Sequence, residues 1–180
     1  MLRRLLHRVI AKLERDYGYD ATYLHEVTDI SVPASLKFGL FQIMSRHFDR
    51  VPIDAYCAAR IAATLSEDCG PCTQLTVDMA LKAGVEPQRV AALLRGDLEQ
   101  AGPDAELGFR YGIAVAQNTH DAPSLAAEAE RRFGKRALVS LAYAVASSRV
   151  YPALKRGLGH CAACTKINVS NEAIVLRQAA

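Results

Sequence analysis

Asp68-Cys69-Gly70-Pro71-Cys72-Thr73-Gln74-Leu75-Thr76-Val77-Asp78-Met79-Ala80-Leu81-Lys82-Ala83-Gly84 sets two thiols three residues apart at the start of a helix. Pro71 suits the first turn, where its missing N–H costs nothing. Leu75, Val77, Met79, Ala80 and Leu81 supply the apolar side chains of the segment from Thr73 to Ala83, and Gly84 closes it. At a helix N-terminus the unpaired N–H groups and the positive end of the dipole favour thiolate over thiol. Two thiols at this spacing close into a disulfide and reopen without unfolding their surroundings, so the stretch predicts redox chemistry at Cys69 and Cys72. Glu67 and Asp68 stand beside the thiols and are candidates to pass a proton through water, while their charge opposes thiolate formation at Cys69.

Helical signals extend outward in both directions. Ile53 to Leu65 is an alanine-rich helix, Leu2 to Asp16 is amphipathic, and Ala34 to His47 follows Ser31 and Pro33. Beyond the cysteine helix, Gly84-Val85-Glu86-Pro87 makes a turn and a short helix runs to Leu94, stopped by Gly96 and Asp97. Pro103 to Gln117, Pro123 to Phe133 and Lys135 to about Gly157 complete the set, with Pro152 a candidate kink in the last. The fold class expected is all-α. In the tail from His160, Ile167, Val169, Ile174, Val175 and Leu176 fit either a short edge strand or packing on a neighbouring subunit. The organisation expected is an N-terminal helical extension over residues 1–50, a helical core over 51–158 and a tail over 159–180.

About half of the 180 residues are apolar and the net charge is +3, with Lys and Arg dispersed among Asp and Glu. That composition supports a sizeable core and asks for neither nucleic acid nor an anionic membrane as partner. Met1 to Arg4 is basic, but His7, Arg8, Lys12, Glu14 and Arg15 interrupt any apolar segment, so a secretory signal is not expected. The weakly polar stretch from Ala137 to Ser147 falls short of the roughly 20 residues a bilayer span requires. Five cysteines, one single and two close pairs, suit the reducing cytoplasm, where a Cys-x-x-Cys is redox-active or metal-binding rather than structural.

The segments Ser66-Glu67-Asp68-Cys69-Gly70-Pro71-Cys72 and Met79-Ala80-Leu81-Lys82-Ala83-Gly84-Val85-Glu86-Pro87-Gln88-Arg89-Val90-Ala91-Ala92-Leu93 follow an alanine-rich helix. Together with the downstream Phe133-Gly134-Lys135-Arg136-Ala137-Leu138-Val139, they resemble the carboxymuconolactone decarboxylase and alkylhydroperoxidase D-like superfamily over roughly residues 51–158. The resemblance implies an all-helical homo-oligomer that reduces hydroperoxides or a partner disulfide and takes electrons from another thiol protein or a small dithiol. It also implies that Cys72 forms the sulfenic acid and Cys69 resolves it. In a thioredoxin-like order Cys69 would attack instead. Redox members of the family carry a glutamate twelve residues before the first cysteine and a histidine four after the second; here those positions are Cys57 and Thr76.

The tail carries a second pair in His160-Cys161-Ala162-Ala163-Cys164. One reading makes Cys161 and Cys164, beside His160, a relay that exchanges with the first disulfide. The other joins both pairs in a tetrahedral zinc site, although about 90 residues separate them, far beyond usual zinc-site spacing. The competing function class is thus a non-catalytic zinc-binding or redox-sensing module. Cys57 is a candidate third redox thiol or, more simply, a small core residue. The Thr76 hydroxyl is placed to meet a sulfur or bound water, or else the carbonyl a turn back. Asp121 reads as the cap of the helix from Pro123, and His7, His25 and His47 have no partner at a useful spacing. Leu81 to Leu94 mimics a helix-turn-helix, but beyond Gln88, Arg89 and Arg95 it offers little to DNA. With no glycine-rich phosphate loop, no organic cofactor is expected, and no resident metal is assigned.

Overall fold

The computed structural model describes residues 1–160, 166–170 and 172–176. Its helices are α1 (Leu2–Tyr17), α2 (Thr22–Ile30), α3 (Val32–Ser45), α4 (Ile53–Leu65), α5 (Gly70–Lys82), α6 (Pro87–Arg95), α7 (Leu98–Ala101), α8 (Pro103–Gln117), α9 (Ala122–Phe133) and α10 (Lys135–Gly157). A hairpin of β1 (Lys166–Val169) and β2 (Glu172–Val175) follows. The molecule is mostly helical, as expected. The α2 and α7 segments are additions to the helices read from the sequence.

Small residues fix the centre. α4 buries Ala55, Ala58, Ala59, Ala62 and Ala63, and α8 lays Gly108 and Gly112 directly on it. A Cβ on Gly108 would lie 2.2 Å from the Ala55 carbonyl oxygen, so the two backbones touch. α10 covers another side of α4 with Leu141, Ala144 and Val145, all in the main core. At 23 residues, α10 is long and apolar enough by length and composition to cross a membrane, which corrects the shorter estimate from the sequence. Ser140, Ser147, Ser148, Pro152 and Lys155 are also buried along it, the pattern of a core helix packed on α3, α4, α8 and α9.

The first helices build a second, smaller core. Ile10, Tyr19, Ala21 and Tyr23 pack with Leu75 of α5 and with Leu154 and Leu158 at the end of α10. Gly18 ends α1 in the left-handed conformation, φ 59°, which turns the chain so that Tyr19 points back into the protein. Ser31 caps α3 by accepting from the Ala34 N–H at 3.3 Å.

The tail resolves the choice left open by its sequence. β1 and β2 pair antiparallel with Ile167 opposite Ile174, and both join the main core with Val169. The Gln74 amide receives the backbone of Asn168 as a neighbouring strand would, its Nε2 donating to the Asn168 carbonyl at 2.9 Å and its Oε1 accepting from the Asn168 N–H at 2.8 Å.

Candidate functional site

The site begins where α4 gives way to α5. Asp68 turns the chain at φ 49°, a left-handed conformation that aspartate tolerates better than most residues, and Cys69 then takes the N-cap of α5. The Thr73 N–H and hydroxyl both donate to the Cys69 carbonyl, at 2.9 and 3.1 Å. Cys69 and Cys72, with Cα atoms 5.3 Å apart, are placed at disulfide distance. Both are buried, yet Cys72 lines a cavity whose wall does not include Cys69, which gives the two sulfurs unequal access to a ligand there.

That cavity holds about 300 Å³, at the lower end of the range of small-molecule sites. Its wall includes Leu13, Tyr17, Tyr19, Tyr23 and Leu24 from the first two helices and their link, facing Arg60, Thr64, Cys72 and Thr76. The Tyr19 hydroxyl stands 4.0 Å from Cys72 Sγ and donates to the Tyr23 hydroxyl at 3.5 Å. Burial pushes both phenols above the ordinary tyrosine value, so both are protonated donors at neutral pH. Lys155, only 3% exposed, puts its Nζ 5.0 Å from the Tyr19 ring centre and 5.5 Å from that of Tyr23. The ammonium thus meets two aromatic faces. No motif in the sequence marks Tyr19, Tyr23, Lys155 or Arg60. The available signal was the crowding of Tyr17, Tyr19 and Tyr23 into seven residues.

The residues proposed from sequence fall in several places. Glu67 turns away from the cavity into a clamp: Oε1 accepts from Arg149 Nε and Oε2 from Arg156 Nη2, both at 2.6 Å. Its carboxylate fastens the α4–α5 turn to α10. Asp68 is exposed, and its contribution is the backbone turn. Thr76 donates to the Thr73 carbonyl at 2.8 Å and meets the Thr64 hydroxyl at 3.0 Å, the carbonyl-bonding alternative, with its side chain still on the cavity wall. Cys57 is a buried core residue, and desolvation pushes its thiol up to about 11. A thiol so protonated is a poor nucleophile. His160 pairs with Glu26 of α2 at 2.5 Å, while Cys161 and Cys164 lie outside the described residues.

Three smaller readings change. Asp121 occupies the N-cap of α9 without capping it; its carboxylate accepts from the Thr119 hydroxyl, which lowers its pKa. His7 and His25, without partners by spacing, meet across α1 and α2 with their Nδ1 atoms 2.6 Å apart, and their Nε2 atoms face Asp29 and Glu14. His47 packs on the Tyr143 ring. Among the described residues no group of three or more His, Cys, Asp or Glu side chains is arranged to hold a metal ion.

No family model, no curated protein and no solved structure matches the chain. The functional reading therefore stands on the residues and their geometry.

Proposed function

We propose that the protein is a thiol–disulfide oxidoreductase of the alkylhydroperoxidase D-like kind, cycling Cys69 and Cys72 between dithiol and disulfide to reduce an organic hydroperoxide or a partner disulfide. The observation that carries it is the pairing of Cys69 and Cys72 at disulfide distance with a cavity that only Cys72 of the two lines, beside the hydroxyl of Tyr19.

With a hydroperoxide, the Cys72 thiolate attacks the terminal oxygen. The O–O bond breaks, sulfenic acid forms on Cys72, and the alkoxide leaves. The N-terminal turn of α5 offers its unpaired N–H groups to the anionic sulfur. Tyr19, whose hydroxyl otherwise donates to Tyr23, is the candidate proton donor to the departing oxygen. Its phenol would do the work for which Cys57 and Thr76 are unsuited, one being a core thiol and the other bonded to a carbonyl and a second hydroxyl. Cys69 then attacks the Cys72 sulfur, releasing water and closing the disulfide, and two electrons from an external dithiol reopen it. The exposed Leu36, Leu40, Phe41 and Ile43 on α3 suit the homo-oligomer that this reading entails.

Adding one equivalent of cumene hydroperoxide to the fully reduced, metal-free protein and mapping the thiols by mass spectrometry tests the reading. The expected product is a mutual Cys69–Cys72 disulfide with Cys57 still reduced. Dithiols that stay reduced while the hydroperoxide persists would overturn the peroxidase reading, and disulfide formation with an added disulfide alone would select the exchange reaction. Tyr19→Phe should slow dithiol oxidation by about 100-fold. An unchanged rate in stopped-flow measurements removes the phenol from the mechanism.

A further inference from the structure

The cavity beside Cys72 is electrostatically one-sided. Arg46 and Arg60 line it, and no aspartate or glutamate does. Neither arginine joins a salt bridge among the described residues. Other arginines of the chain do find carboxylates, Arg89 with Asp54 and Arg149 and Arg156 with Glu67. Arg60, half-buried, has neutral partners instead: Nε donates to the Ser148 hydroxyl at 3.4 Å, Nη2 donates to the Met79 thioether at 3.5 Å, and the guanidinium lies over the Tyr56 ring. A thioether is a weak acceptor and no carboxylate engages the guanidinium fork, which is free to take a bidentate anion from the cavity.

The position of Arg60 defines what the cavity fits. Its guanidinium rests against Met79, seven residues beyond Cys72 on the same helix, about 10 Å along the axis. Leu75 and Thr76 lie between them on the helix, and Tyr17, Tyr19, Tyr23 and Tyr151 share the lining. We infer that Arg60 anchors the carboxylate of an amphipathic small molecule whose apolar or aromatic body fills the tyrosine-lined cavity and whose far end reaches Cys72. The identity of the reacting group at that far end rests on the oxidoreductase reading; the carboxylate subsite rests on the cavity.

Calorimetric titration of the oxidised, full-length protein with 4-isopropylbenzoate and with 4-isopropylbenzamide separates charge from shape. The carboxylate should bind at least about tenfold more tightly than the amide, as a charge-assisted bidentate contact predicts. Arg60→Gln should reduce it to the level of the amide, and Arg60→Lys should keep part of the difference. Equal binding of carboxylate and amide to the unaltered protein overturns the subsite, and so does Arg60→Gln binding the carboxylate as the unaltered protein does. The kinetic arm compares cumene hydroperoxide with its para-carboxylate. Arg60-dependent binding of 4-isopropylbenzoate with neither hydroperoxide reduced supports the subsite and removes the peroxidase reading. Equal kcat/KM for both hydroperoxides, with no preference for the carboxylate in binding, overturns the subsite and leaves the peroxidase reading standing.

Discussion

Cys72→Ser should lower hydroperoxide consumption by at least about 1,000-fold, to the level of a protein-free control. A serine hydroxyl is not ionised near neutral pH, so the helix N-terminus has no anion to hold and the cavity presents no nucleophile. Cys69→Ser should behave differently. The nucleophile survives, one equivalent of hydroperoxide is consumed, and the sulfenic acid persists on Cys72 because nothing is in place to resolve it. A sulfenic-acid trap followed by peptide mapping reads the difference. The expectation rests on access, since Cys72 lines the cavity and meets Tyr19 while the likewise buried Cys69 is not in its lining. The reverse pattern, with the trapped acid on Cys69, would show that the first cysteine attacks, as in the thioredoxin-like order.

Gly108→Ala should destabilise the fold by about 3 kcal/mol or more, the upper part of the range for overpacking. The added methyl would sit 2.2 Å from the Ala55 carbonyl oxygen and 2.7 Å from its Cα, and neither atom belongs to a side chain that can rotate away. The two helices have to separate. Gly112 meets Ala59 and Ala62 one turn further on, so separation at Gly108 loosens the whole α4–α8 seam on which Tyr111 and Ala114 also pack. For a chain of this length the melting temperature should drop by about 10 °C. Gly39→Ala is the matched comparison: its methyl meets nothing within 4 Å in the middle of α3, and it should stabilise by about 0.5–1 kcal/mol. Urea denaturation of both variants checks the pair. A Gly108→Ala protein as stable as the unaltered one would mean that α4 and α8 do not touch backbone to backbone.

The sequence alone determined the helical class and most helix positions. Ile53–Leu65, Pro103–Gln117 and Lys135–Gly157 run over the ranges read from the sequence, and in the second of them Pro103 opens the first turn and Asn118 ends the last in the left-handed conformation, signals that act through the local backbone. Gly70-Pro71 likewise marked where α5 begins, and the disulfide spacing was already present in four consecutive residues. The hairpin was only half legible: Ile167, Val169 and Ile174 signalled burial, but the core they enter and the Gln74 amide that holds the Asn168 backbone come from far earlier in the chain, Gln74 about 90 residues before.

The tertiary structure alone decided what surrounds the thiol. Nothing in the local pattern distinguishes Glu67 as an acid–base group from Glu67 as a clamp, because the answer depends on Arg149 and Arg156 arriving from α10. Tyr19 reaches Cys72 across 53 residues through the turn at Gly18 and the docking of the first two helices on α5 and α10. Arg60 faces a cavity without carboxylates only because those helices close over it. Helix periodicity is written in the spacing of neighbours along the chain, whereas the reactivity of a sulfur and the charge of a cavity depend on groups that only packing brings together.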